Sequence, residues 1–170
     1  PNFHPAAANA TSTLEFNAHW GLGSSSTLVA LVALWAVVNA LDLFFKTSVG
    51  SGYDVATAIA NSPILYTLKN GVANVESVHF NPPQKENLHF LYLGKKQRSA
   101  AEVENFNEKI VPKETIEKIS ANTEQLVFCT DLEKFTDLLD EHEKITSEML
   151  GYPTIKEQLF TDFNGSIKSL

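Results

Sequence analysis

The sequence predicts an α+β protein in which short strands and helical hairpins mix without regular alternation. Three observations lead there. Leu14 and Phe16 alternate with polar neighbours over residues 11–20, and a glycine- and serine-rich turn then runs straight into an apolar run from Leu28 to Trp35. Asn70-Gly71 joins two strand-like segments, residues 63–68 and 72–80, as a two-residue hairpin turn would. The last third is charged, and its apolar residues recur at helical spacing.

Taken in order, residues 11–20 read as a strand and residues 27–41 as a helix. The apolar core of that helix ends at Val38, before Asn39 and Asp42, so it falls short of the roughly 20 apolar residues that span a bilayer. It reads as a buried core helix. A second glycine-rich turn, residues 47–54, leads into a short alanine-rich helix over 55–60 with Asp54 near its N-terminus. The hairpin follows, and Pro82-Pro83 marks a domain boundary, giving domains at residues 1–81 and 82–170. Residues 88–93 read as a strand, and residues 99–110, 113–128 and 131–150 as helices. In the last of these Leu132, Phe135, Leu138, Leu139, Ile145 and Met149 form one apolar stripe. A final helix is expected over 154–163 and the start of a strand over 166–170.

Composition narrows the function. A chain of 170 residues, 44% hydrophobic, can bury a core in one or two small domains. A formal charge of −7 excludes a nucleic-acid binder, since no basic stripe faces a phosphate backbone. The single cysteine, Cys129, cannot form an internal disulfide and suits a reducing cytoplasm, where it serves as a small apolar residue. No signal peptide and no initiator methionine open the sequence, so a cytoplasmic protein given as a fragment is expected. His4, His19, His79, His89 and His142 lack metal-ligand spacing. Lys95, Lys96 and Arg98 read as a solvated basic loop.

The chemistry concentrates in two turns. In Gly21-Leu22-Gly23-Ser24-Ser25-Ser26 the glycines admit close backbone approach, and the helix that follows presents unpaired N–H groups at the positive end of its dipole. Such a place binds phosphate, and its three hydroxyls add donors or a metal ligand. Simple helix capping by the serines is the plain alternative. In Gly50-Ser51-Gly52-Tyr53-Asp54 the carboxylate of Asp54 is either a helix cap or a base beside a transferring phosphoryl group.

The two turns together resemble the GHMP kinases, the superfamily of galactokinase, homoserine kinase, mevalonate kinase and phosphomevalonate kinase. Gly21 to Ser26 is similar to the family's phosphate-binding motif. Gly50-Ser51-Gly52-Tyr53-Asp54-Val55-Ala56 resembles its second block, with wording nearest a bacterial group marked by Gly-Tyr-Asp-Ile-Ala. The resemblance implies a two-domain α+β fold, an N-terminal domain like a ribosomal-protein fold and a ferredoxin-like second domain, with ATP at their junction. It implies that Gly21, Leu22, Gly23, Ser24, Ser25 and Ser26 hold the ATP phosphates and that Ser25 meets Mg2+. Gly50, Ser51, Gly52 and Tyr53 would shape the acceptor pocket, and Asp54 would be the catalytic carboxylate. The acceptor implied is a small alcohol or phosphate, with mevalonate or phosphomevalonate of isoprenoid biosynthesis leading. The pattern also departs from the family: its first strands with their lysine, its magnesium-holding glutamate and its C-terminal glycine-rich loop have no counterpart in these residues. Asp42, the one acid near the glutamate's place, is not assigned as a ligand. Two other readings stay open, an ATP-dependent diphosphomevalonate decarboxylase and a non-catalytic nucleotide-binding protein of the same fold. A homodimer stays open too, and neither a membrane nor a nucleic-acid partner is expected.

Overall fold

A computed structural model describes residues 9–94 and 111–169, and it is α+β, mixing helices with one two-stranded sheet. The helix expected over 99–110, and Lys95, Lys96 and Arg98, lie outside the described residues. These fall into two compact units, residues 9–78 with 90–94, and residues 79–89 with 111–169.

The first unit begins without the strand expected over 11–20. The Asn17 side chain accepts a hydrogen bond from the His19 amide at 2.9 Å, which closes a 3₁₀ turn at Ala18–Trp20, and Gly21 ends that turn with a left-handed φ of 76°. Among the described residues, alternation over this segment finds no neighbouring ladder to join.

Helix α1 covers Ser24–Ala36, and a single helix through Leu41 does not form. Val37 adopts φ 54° and ψ 46°, and its N–H and that of Val38 fold back onto Leu34 and Ala33 carbonyls. Asn39 then starts a new helix, α2 at Ala40–Thr47, its Oδ1 accepting from the Asp42 amide at 3.0 Å. The two helices meet at 119°. Among the described residues no single helix is long and apolar enough to cross a membrane.

Helix α3, Tyr53–Ile59, follows the second glycine turn. Ala33, Ala40 and Val55 form the buried centre where α1, α2 and α3 pack, with Val29, Leu41, Leu43 and Phe44 around them. Alanines at the contact let the backbones approach closely. The outer side of α1 stays apolar and exposed at Leu28, Leu34 and Trp35.

The hairpin forms as expected. Strands β1, Ile64–Lys69, and β2, Val72–Ser77, pair antiparallel with Tyr66 opposite Val75 and Lys69 opposite Val72. Asn70 and Gly71 both take positive φ, 51° and 76°, the backbone that lets a two-residue turn match strand twist. Beyond it, residues 88–93 form no strand, and Phe90 is 85% exposed. Among the described residues β1 and β2 pair only with each other, so this apolar run has no ladder to extend.

The second unit is built on a helical hairpin. Helix α4 covers Lys113–Phe128, and α5 covers Leu132–Leu150, opened by Asp131 accepting from the Lys134 amide at 2.8 Å and closed by Gly151 at φ 78°. Leu126, Cys129, Phe135 and Leu138 form its core, with the Phe80 ring 6.4 Å from Phe135. Phe135, Leu138 and Ile145 of the expected stripe are buried, whereas Leu132 at its start is 40% exposed. Cys129 serves as the small buried residue expected. The expected helix over 154–163 is short, α6 at Ile155–Leu159, held by a capping box between Thr154 and Glu157 and ended where Phe160 leaves helical geometry. Residues 166–169 form no strand either. Their polar groups go to α5 instead, Ser166 to the Thr136 carbonyl and Ser169 to the Glu143 carboxylate.

Candidate functional site

Both glycine turns lie in the first unit, each at the start of a helix of the same three-helix core. Gly23 precedes α1 with φ 70°, and no side chain caps the turn. The first amide of α1 met by a main-chain carbonyl is that of Thr27, bonded to Gly23 at 3.0 Å. The amides of Ser24, Ser25 and Ser26 come before it, in the open first turn. The Gly23 carbonyl also accepts from the Ser26 hydroxyl at 2.8 Å and from Thr27 Oγ1 at 3.0 Å. Ser26 therefore spends its proton inside the turn. Ser24 and Ser25 have hydroxyls without hydrogen bonds among the described residues, and Ser25 is exposed. Gly21 and Leu22 are exposed as well. A positive φ at both Gly21 and Gly23 is backbone that glycine takes at little cost.

The second turn is more constrained. Gly52 is buried at φ 78°, and a Cβ there would stand 3.2 Å from Leu41 Cδ2 and from Phe44 Cδ1. Only glycine satisfies both the backbone and the space. Gly52, not Asp54, occupies the cap of α3, so the plain capping role for Asp54 is corrected: its carboxylate stands exposed in the first helical turn. Next to it the Tyr53 phenol is pushed up in pKa, first by burial and then by the charge of Asp54 and a hydrogen bond to it. Gly50 has φ 135°, and Ser51 Oγ stands 3.5 Å from the Tyr53 amide.

Tyr66, within the segment read from sequence as a strand, contributes more than packing. Its hydroxyl donates to the Ser51 carbonyl, tying β1 to the turn that carries Asp54. A tyrosine at an inward strand position followed a glycine turn by 15 residues, and nothing in that spacing marks such a contact.

The core joins α1 to α3 through Ala33 and Val55, so both turns belong to one packed body. No hydrogen bond among the described residues joins Asp54 to the Gly21–Ser26 turn. Asp42 is exposed at the first turn of α2. No group of three His, Cys, Asp or Glu among the described residues could retain a metal ion alone. No family model, curated protein or solved structure matches the chain.

Proposed function

We propose that the chain is part of an ATP-dependent small-molecule kinase of the GHMP type. One observation carries the reading. Two helices packed on one core each open from a glycine in left-handed geometry with no side-chain cap, Gly23 before α1 and Gly52 before α3. The uncapped amides of α1 suit the phosphates of ATP by charge and by donor geometry. The first turn of α3 puts an exposed carboxylate, Asp54, at the other glycine.

In this reading the Gly21–Ser26 turn and the amides of Ser24 and Ser25 hold the polyphosphate. Mg2+ carried with the nucleotide, met by the Ser25 hydroxyl, supplies neutralisation of phosphate charge. With an alcohol acceptor, Asp54 accepts the hydroxyl proton as the hydroxyl oxygen bonds to the γ-phosphorus. With a phosphate acceptor, an already ionised phosphate oxygen forms that bond. In both, the bond from the γ-phosphorus to the β–γ bridging oxygen breaks to leave ADP. Most of the rate enhancement then comes from positioning and charge neutralisation. Gly50, Ser51, Gly52 and Tyr53 form the wall against which the acceptor lies, with mevalonate or phosphomevalonate the leading candidates. The two-domain GHMP architecture, a cytoplasmic location and a homodimer belong to the same proposal.

The test is ADP release with Mg·ATP and a panel of small alcohols that includes mevalonate and phosphomevalonate. Asp54→Ala is expected to abolish turnover while nucleotide binding, read by titration, stays within about threefold of the unaltered protein. Normal turnover by Asp54→Ala would refute the base assignment, and no ADP release with any acceptor would refute the kinase.

A further inference from the structure

The chain holds two Asn-Gly pairs, Asn70-Gly71 and Asn164-Gly165, and the fold constrains them differently. An asparagine followed by glycine carries its own reactant. The glycine amide nitrogen, with no Cβ beside it, can reach the asparagine Cγ, which makes such asparagines labile. Closing that five-membered ring requires rotation about the asparagine Cα–C bond. Both asparagines are exposed, so access of water does not separate them. The backbone does. Asn70 and Gly71 close the hairpin in left-handed geometry, φ 51° and 76°, next to a ladder that runs from Ile64 opposite Ser77 to Lys69 opposite Val72. Rotation at Asn70 undoes that turn and strains the pair beside it. Asn164 and Gly165 belong to no helix or strand, and among the described residues no hydrogen bond reaches the Asn164 carbonyl or the Gly165 amide. A Cβ at Gly165 would stand 2.6 Å from Phe163 Cε1, so the position of that ring suits glycine there.

We propose that Asn164 is a self-modifying position, deamidating through a succinimide to aspartate and isoaspartate, while the hairpin protects Asn70. The Gly165 amide nitrogen gives up its proton and bonds to Cγ of Asn164, and the Cγ–Nδ2 bond breaks as ammonia leaves. Water then opens the ring at either carbonyl. Attack at Cγ restores the ordinary main chain with an aspartate side chain. Attack at the main-chain carbonyl leaves isoaspartate, whose main chain runs through Cβ and is one CH₂ longer. Either product puts a new carboxylate one residue from the Gly165 carbonyl, which accepts from Lys156 Nζ at 2.6 Å. The isoaspartate also lengthens the chain just ahead of Ser166 and Ser169, which bind the Thr136 carbonyl and the Glu143 carboxylate. The modification therefore shifts the segment that those contacts hold against α5.

Peptide mass spectrometry of the full chain, sampled over time at a mildly alkaline pH, tests this. Each product is about 1 Da heavier than its parent, and isoaspartyl peptides separate from aspartyl ones by retention. In the folded chain Asn164 is expected to convert about tenfold or more faster than Asn70. In denaturant, with the hairpin gone, the two rates are expected to agree within about threefold. Gly165→Ala, whose Cβ hinders approach of the amide nitrogen, is expected to slow conversion at Asn164 about tenfold or more and to leave Asn70 unchanged. The comparison of the two asparagines needs no variant, so it stands even where Gly165→Ala disturbs the fold. Equal rates in the folded chain, or a difference that persists in denaturant, would overturn the assignment to Asn164. Aspartate without isoaspartate, or unslowed conversion in Gly165→Ala, would overturn the succinimide route.

Discussion

Gly52 shows how much a single position can decide. Its left-handed φ and the 3.2 Å approach of Leu41 and Phe44 to a virtual Cβ leave room for no other residue without strain. Gly52→Ala is expected to lower stability by about 1–3 kcal/mol, read as a fall in thermal midpoint, and an unchanged midpoint would contradict the packing described. The glycine was legible from sequence as part of a turn, but its burial against α2 was not, because contact between helices leaves no mark in local spacing. Glu143 carried a readable signal. It lies four residues after Leu139, at the edge of an apolar stripe, where a charged residue demands a partner. That partner, 26 residues on, could not be read. Tyr66 is a third case, since a phenol on an alternating strand looks the same whether it packs or pins a loop.

At the scale of elements, the hairpin and the α4–α5 pair were legible because their boundaries are written in local chemistry. Asn70-Gly71 sets the turn, Asp131 opens α5 and Gly151 closes it. The break between α1 and α2 was hidden because apolar residues surround α1 on every face, so periodicity could not show a change of direction. Val37 marks that break, a β-branched residue at φ 54° and 76% exposed. Left-handed geometry costs such a residue about 1–2 kcal/mol. Val37→Gly is therefore expected to raise stability by about 0.5–1 kcal/mol in denaturant unfolding, after the greater freedom of glycine in the unfolded chain is counted. Destabilisation by that substitution would mean the helix does not turn there. The strands expected over 11–20, 88–93 and 166–170 failed for a common reason. Alternation and apolar runs specify a surface, whereas a strand also needs a neighbour, and the described sheet has two strands.

For the whole molecule, a half-buried imidazole contributes to the response to acid. His142 binds its proton less tightly folded than its ordinary value of 6.5, through burial first and Lys168 second. The unfolded chain then takes up the proton more readily, so stability is lost as pH falls below about 6.5. Denaturant midpoints at about pH 7 and about pH 5 should differ in that direction, with the lower value in acid, and His142→Asn should reduce the difference. An equal difference in the variant would assign the effect to other groups. Lys168, also held below its ordinary 10.5, has the same sign in the alkaline range, where stability rises toward that value.

The kinase reading rests on nucleotide phosphates seating at the open first turn of α1, and amide resonances report that contact directly. In a titration of the ¹⁵N-labelled chain with Mg·ATP, the amides of Gly23, Ser24, Ser25 and Ser26 are expected to shift saturably and together. If those four stay in place while ATP binds elsewhere, or does not bind at all, the central claim is contradicted.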